Sequence, residues 1–150
     1  MNTNRIRDIL SRDKRTRDTF RGVFARNELP TTATTGLYVC NTDPIDKPGG
    51  HWVVIYIDKN KRAEYFDSFG LPPLFDEFEQ FMINNSKFWL HNSKVVQDVY
   101  SSACGHHCIF FCIQRSIGFD MGAIANMYTS NTTFNDEIAQ KFVYDKVLML

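Results

Sequence analysis

The run Cys104-Gly-His-His-Cys-Ile-Phe-Phe-Cys-Ile-Gln114 is apolar nearly all round a helix. A helix that is hydrophobic on every side must be covered on every side, so this segment is predicted to be a buried central helix. What covers it must come from the rest of a 150-residue chain, a length suited to one domain with a self-sufficient core. His51-Trp-Val-Val-Ile-Tyr-Ile57 is an apolar run short enough for a buried strand. Asp58 to Arg62 then make a hairpin loop, and Ala63 to Asp67 return as its partner.

Other elements follow from periodicity and punctuation. Ile6, Ile9 and Leu10 share a helical face after Asn4, which predicts a short basic helix over residues 5–13, with Phe20, Val23 and Phe24 continuing its packing. Pro30 and four threonines mark residues 29–36 as a loop, Leu37 to Cys40 as a short strand, and 43–50 as a turn-rich connection ending in Gly49-Gly50. Leu74, Phe75, Phe78, Phe81 and Met82 recur at helical spacing after Pro72-Pro73, predicting a helix over 74–84. Lys94 to Asp98 read as a strand, and further helices are expected over 120–128 and 136–147. The expected fold is α+β: a small, mainly antiparallel sheet flanked by helices, with the buried central helix starting at Cys104. Residues 1–150 are expected to form a single domain, with a basic helical segment at 1–30, a core at 36–115 and C-terminal helices at 116–150.

Charge and cysteine usage narrow the setting. The first thirty residues carry eight Lys or Arg against four Asp or Glu, although the whole chain is formally neutral. Such asymmetry favours an anionic partner, while mixed signs at helical spacing also suit a solvated helix face. Neither an apolar signal segment nor a run near the roughly 20 apolar residues of a membrane span is present, so an intracellular, soluble protein without a membrane partner is expected. Cys104, Cys108 and Cys112 sit at i, i+4 and i+8, a spacing for one helix rather than a disulfide framework, and reduced thiols are expected.

The residue that opens the apolar helix is itself chemical. A thiol attacks carbonyls as thiolate, and a helix N-terminus with a nearby imidazolium lowers its pKa. Ser101-Ser102-Ala103 offer a cap for that helix, and Gly105 leaves little bulk beside the thiol. His51 opens a buried strand after the Gly-Gly turn, and of the four histidines it alone has a carboxylate, Asp67, expected on the adjacent strand. Asp67 would accept from His51 Nδ1–H, leaving Nε2 toward the thiol. Gln97, seven residues before Cys104, supplies a neutral amide that with the Cys104 backbone N–H would make an oxyanion hole. Each residue also has a plain structural reading: a buried cysteine, a core or surface histidine, a turn aspartate, a surface glutamine. Trp52 reads better as core filling than as a shelf for the imidazole.

Cys104, His107, Cys108 and Cys112 also suggest zinc. A helix sets Cys104 and Cys112 about 12 Å apart, too far for two Zn–S bonds of about 2.3 Å. No metal is expected from that set alone, and Cys108 and Cys112 read as small core residues.

The ordered array Asn41-Thr42, Gly49-Gly50-His51-Trp52, Phe66-Asp67-Ser68-Phe69-Gly70 and Gln97 to Cys104-Gly105 resembles the adenovirus-type (adenain-like) cysteine proteases, whose members also occur in virus-like mobile elements. The order His, acid, Gln, Cys is similar to that of the SUMO-deconjugating proteases. The resemblance covers roughly residues 20–115. It implies a thiol endopeptidase, with His51, Asp67, Gln97 and Cys104 catalytic, that cleaves viral precursor proteins after Gly-Gly or Gly-Ala type motifs during virion maturation. Asn41, Gly50, Trp52 and Gly105 are the expected substrate-binding residues. Two alternatives stay open: a hydrolase deconjugating ubiquitin-like proteins, and a non-catalytic protease-like module that binds partner proteins through the same cleft.

The resemblance weakens beyond residue 115, where the adenoviral enzymes are longer. They are activated by DNA and by a disulfide-held peptide, but residues 85–88, the matching region, hold no cysteine. Activation by DNA or a peptide is therefore an expectation, a disulfide-linked peptide is not, and no cofactor is required. Arg12, Lys14, Arg15 and Arg17 are the expected non-specific DNA contacts. A monomer in the host nucleus or cytoplasm, or in the virion, is the setting that the resemblance implies.

Overall fold

The computed structural model describes residues 1–45 and 50–148, the last two by backbone alone. The Gly49 half of the expected Gly-Gly turn lies outside the described residues. The element order is α1 (Thr3–Arg12), β1 (Phe20–Phe24), β2 (Gly36–Asn41), β3 (Trp52–Ile57), β4 (Arg62–Phe66), α2 (Asp76–Asn85), β5 (Phe88–His91), α3 (Cys104–Ile117), α4 (Met121–Ala125) and α5 (Thr132–Val143), with a π turn at Tyr144–Leu148. The architecture is α+β, as expected, with the buried helix α3 beginning at Cys104.

The five strands lie in chain order across one sheet. The centre is antiparallel, β2 with β3 and β3 with β4, while β1 joins β2 and β5 joins β4 in parallel. Side-chain alternation sends Trp52 and Val54 to one face and Val53, Ile55 and Ile57 to the other. Both faces are covered, which is why β3 reads as a continuous apolar run rather than an alternating one. On the first face lie α1, α3 and the C-terminal helices, with Phe66 stacked on Phe111 at 4.6 Å between centroids. On the second, α2 supplies Phe78, Phe81 and Met82. Phe111 is fully buried, and truncating such a phenylalanine to Ala costs about 3–5 kcal/mol.

Two expectations change. Residues 94–98 form no strand: Val96 N–H and Gln97 N–H both donate to Ser68 O, at 2.9 and 3.1 Å, which ties the segment to a single carbonyl instead of a ladder. The fifth strand is Phe88-Trp-Leu-His91, an edge strand of alternating exposed and half-buried residues. Phe20 to Phe24, expected only as packing, form the opposite edge.

Gly70 fixes the geometry below the site. Its φ is +71°, and a Cβ there would come within 2.9 Å of Lys94 C and Ser93 O. Only glycine lets the turn after Asp67 approach the segment leading to Gln97 this closely.

Candidate active site

Three segments meet at one end of the sheet: the start of β3, the end of β4 and the head of α3. His51 immediately precedes β3, and Asp67 immediately follows β4. Their side chains join at 2.8 Å, His51 Nε2 to Asp67 Oδ1. The expected ring orientation is reversed. With Nε2 facing the carboxylate, Nδ1 is the nitrogen left for the thiol. Asp67 is itself held: Oδ1 also accepts from Phe69 N–H at 2.8 Å, while Asn92 accepts from Asp67 N–H and donates to Asp67 O, at 2.9 and 2.8 Å. Phe69 stacks on the His51 ring, 4.8 Å between centroids and 22° between planes. Trp52, by contrast, is buried in the core.

Cys104 neighbours His51 and the backbone N–H groups of Trp52 and Gly105, all of which act on its thiol. Burial opposes the thiolate, but the His51 hydrogen bond and those N–H groups outweigh it and lower the Cys104 pKa. Burial likewise opposes the imidazolium, yet the bonds to Asp67 and Cys104 push His51 up to about 9. A raised base beside a lowered acid favours the thiolate–imidazolium pair relative to the neutral one. The other three cysteines are different: nothing opposes burial at Cys40, Cys108 and Cys112, and it pushes each thiol up, away from reactivity. All four are free.

The head of α3 differs from expectation. Its N-cap is Ala103, with no side-chain capping bond. The first-turn N–H groups of a helix have no intrahelical partner, so those of Cys104 and Gly105 are directed at whatever lies in front. Ser101 Oγ instead accepts from Ala103 N–H at 3.4 Å. Gln97 is almost fully buried; its Oε1 accepts from Ser68 Oγ, and its Nε2 donates to Ser101 O and Oγ at 3.0 and 3.2 Å. The amide thus points toward the residues that lead into Cys104, and serving an oxyanion requires it to release its longer bond, to Ser101 Oγ.

The remaining candidates are arranged around this centre. Asn41 pairs with Trp52 across β2 and β3. Its Oδ1 accepts from Asp43 N–H at 2.8 Å, while Nδ2 is buried with no partner among the described residues. Both residues line a cleft of about 290 Å³ whose rim includes Arg7, Glu28 and Asp43. Gly50 is exposed. Gly105 faces inward: a Cβ there would lie 3.1 Å from Met1 Cβ and 3.6 Å from Trp52, and Trp52 Nε1–H donates to Met1 O at 3.1 Å. Residue 1 therefore packs beside the thiol-bearing turn.

Of the basic residues, Arg12 pairs with Asp8 at 3.2 Å, and Arg15 pairs with Asp13 at 2.8 Å and donates to Lys146 O at 3.0 Å. Lys14 and Arg17 are exposed. Among the described residues no group of three or more His, Cys, Asp or Glu is arranged to hold a metal ion, and no helix is long and apolar enough to cross a membrane.

Sequence reasoning misses Phe69, Ser68 and Asn92 as parts of this site. Ser68 and Phe69 stand inside the motif around Asp67, so position alone flags them; Asn92 carries no sequence signal.

The fold has a solved counterpart. The crystal structure of the ASFV pS273R protease superposes with a TM-score of 0.53 at 24% identity, covering 77% of this chain and 43% of that one. This chain shares its fold with a protease. A second crystal structure of the ASFV protease, with selenomethionine, gives 0.49 at 23% identity over 71% of this chain and 42% of that one. The chain thus spans less than half the length of the protease it matches. No protein-family model and no curated protein sequence matches it.

Proposed function

We propose that the chain is a cysteine endopeptidase of the adenovirus-type and SUMO-protease-like clan. Cys104 is the nucleophile, His51 acts as general acid and base through Nδ1, Asp67 orients the ring, and Gln97 with the Cys104 N–H stabilises the oxyanion. The observation that carries this reading is the contiguous array Cys104, His51 and Asp67, in which the thiol is lowered and the imidazole raised. The fold shared with a protease supports it.

Attack by the Cys104 thiolate on a peptide carbonyl forms a C–S bond, and the carbonyl oxygen takes up the negative charge. His51 then protonates the departing amine as the C–N bond breaks. Water, deprotonated by His51, hydrolyses the thioester and returns the thiolate. The proposed substrates are viral precursor polypeptides cut after Gly-Gly or Gly-Ala type motifs in virion maturation, with the exposed Gly50 and the cleft lined by Asn41 and the edge of Trp52 as the substrate path, while Gly105 packs inward against Met1. Weak contact of Arg12, Lys14, Arg15 and Arg17 with DNA is a lesser part of the proposal, reduced by the pairs Arg12–Asp8 and Arg15–Asp13.

A peptide-library digest with wild type and Cys104→Ala tests the reading. Cleavage by wild type alone, at small-residue sites, supports it. Cleavage confined to ubiquitin-like fusions would move the assignment to a deconjugating hydrolase, and no cleavage by wild type would leave a binding module.

A further inference from the structure

A second imidazole–carboxylate pair lies behind the site, and its connections lead back to it. His107, one turn into α3, has no exposed surface. Its Nε2 meets Asp136 Oδ1 at 2.8 Å and its Nδ1 meets the Tyr128 hydroxyl at 2.9 Å. Burial lowers the His107 pKa despite the carboxylate, so the ring is neutral. A neutral ring beside an acceptor-only carboxylate donates from Nε2–H and accepts from Tyr128 O–H at Nδ1.

The other oxygen of Asp136 leaves the core. Asp136 Oδ2 accepts from the backbone N–H of Asp98 at 3.3 Å. Asp98 directly follows Gln97, and its carboxylate accepts from Tyr100 N–H at 2.9 Å and Thr133 Oγ1 at 2.8 Å. The upstream end of the same loop is fixed to Ser68 O by Val96 and Gln97 N–H. Residues 96–98 are therefore held from two sides, by Ser68 beside Asp67 and by Asp136 on α5, and residues 99–103 run on from there to Cys104. The held segment carries the Gln97 amide.

We propose that Asp136, oriented by His107, is a positioning residue for the reaction: it anchors Asp98 and thereby holds the neighbouring Gln97 amide in place as an oxyanion donor. This rests on the cysteine endopeptidase reading. Asp136 touches no reacting atom, and its effect is confined to steps in which a carbonyl oxygen becomes negative.

That restriction supplies the test. Hydrolysis of the p-nitrophenyl ester of N-acetylglycine forms an oxyanion when the thiolate adds, with p-nitrophenolate leaving and water completing the cycle. Alkylation of Cys104 by iodoacetamide forms a C–S bond and releases iodide without one. Asp136→Ala is expected to lower kcat for the ester by about 10- to 100-fold, the scale of a displaced oxyanion donor, while KM, the alkylation rate and its pH profile stay within about twofold. Asp136→Asn, whose oxygen can still face Asp98 N–H if His107 reverses its tautomer, recovers most of the loss. Thr133→Val, at an exposed position that leaves the buried pair intact, lowers kcat several-fold and carries the test if Asp136→Ala does not fold. Unchanged kcat in Asp136→Ala or, should that variant be unfolded, in Thr133→Val overturns the proposal, as does a parallel fall in hydrolysis and alkylation. Wild type that alkylates but never turns over the ester overturns the endopeptidase reading, and this proposal with it.

Discussion

His51–Asp67 and His107–Asp136 have the same contact, Nε2 to Oδ1 at 2.8 Å, and opposite electrical behaviour. His51 is raised to about 9 and His107 is lowered. The carboxylate favours the charged form of both rings, so it cannot account for the difference. What differs is the group at the other ring nitrogen and the access of water. His51 faces a thiol and its side chain is 17% exposed; His107 faces a phenol and is sealed at 0%. A thiolate rewards a protonated ring with a second opposite charge, whereas a neutral hydroxyl in a dry core leaves the desolvation of a cation uncompensated. A histidine bonded to an aspartate is thus charged in one setting, where the proposed function needs an acid and base, and neutral in the other, where it orients a carboxylate.

The largest effect separates the two by function. His51→Ala is expected to cut kcat by about 10⁴-fold or more, the scale seen when a nucleophile's base is removed, without unfolding the protein. His107→Ala leaves Asp136 without its ring partner, an expected loss of about 3 kcal/mol in stability. Thermal or urea unfolding beside ester hydrolysis reads both, and the reverse pattern would break the distinction.

Titration sharpens it. NMR of ring protons should find His51 titrating near 9 and His107 titrating below its ordinary 6.5. The stability each contributes has the opposite pH window. That of His51 is complete below about 6.5 and is lost as pH rises through about 9, whereas that of His107 is present above about 6.5 and is lost as pH falls. In Cys104→Ala the His51 value should fall, since the thiolate is one of its two supports.

A smaller contrast separates the thiols. One equivalent of iodoacetamide at pH 7 should label Cys104, and labelling at Cys40, Cys108 or Cys112 should be at least tenfold slower until the protein unfolds, because burial holds those three as thiols. Peptide mapping decides. Equal labelling would remove the special status of Cys104.

Smallest is the charge effect of the N-terminal region. Alanine at Arg12, Lys14, Arg15 and Arg17 should leave ester turnover unchanged and reduce the salt slope of non-specific DNA binding by about 1 for each phosphate that is no longer neutralised. Identical binding by both proteins, or none by wild type at about 50 mM salt, ends the DNA idea.

The sequence made some of this visible and hid the rest for identifiable reasons. The centre of the fold was legible because α3 is apolar all round and because β3 and β4 are joined by a short polar hairpin. The edges were not. Phe88 to His91 are half exposed and Phe20 to Phe24 straddle Arg21 and Gly22, so neither has the pattern of a buried strand. Val95 and Val96 give residues 94–98 the composition of a strand, yet the two hydrogen bonds from Val96 and Gln97 N–H to Ser68 O hold them as a loop. At the candidate site, His51, Asp67, Gln97 and Cys104 could be named in order, but not how they face one another. Which ring nitrogen meets Asp67 is set by rotation of the His51 ring, which no sequence pattern encodes, and the engagement of the Gln97 amide depends on Ser101. His107 and Asp136 lie 29 residues apart, and no local signal joins them.

Trapping the acyl-enzyme tests the central claim most directly. Wild type mixed with the p-nitrophenyl ester of N-acetylglycine, quenched in acid within the first turnover and mapped by mass spectrometry, should carry the acetylglycyl group as a thioester on Cys104. The adduct should be absent from Cys104→Ala and should disappear as hydrolysis proceeds. No adduct on wild type, or an adduct on another residue, would contradict a mechanism in which the Cys104 thiolate, paired with His51, is the nucleophile.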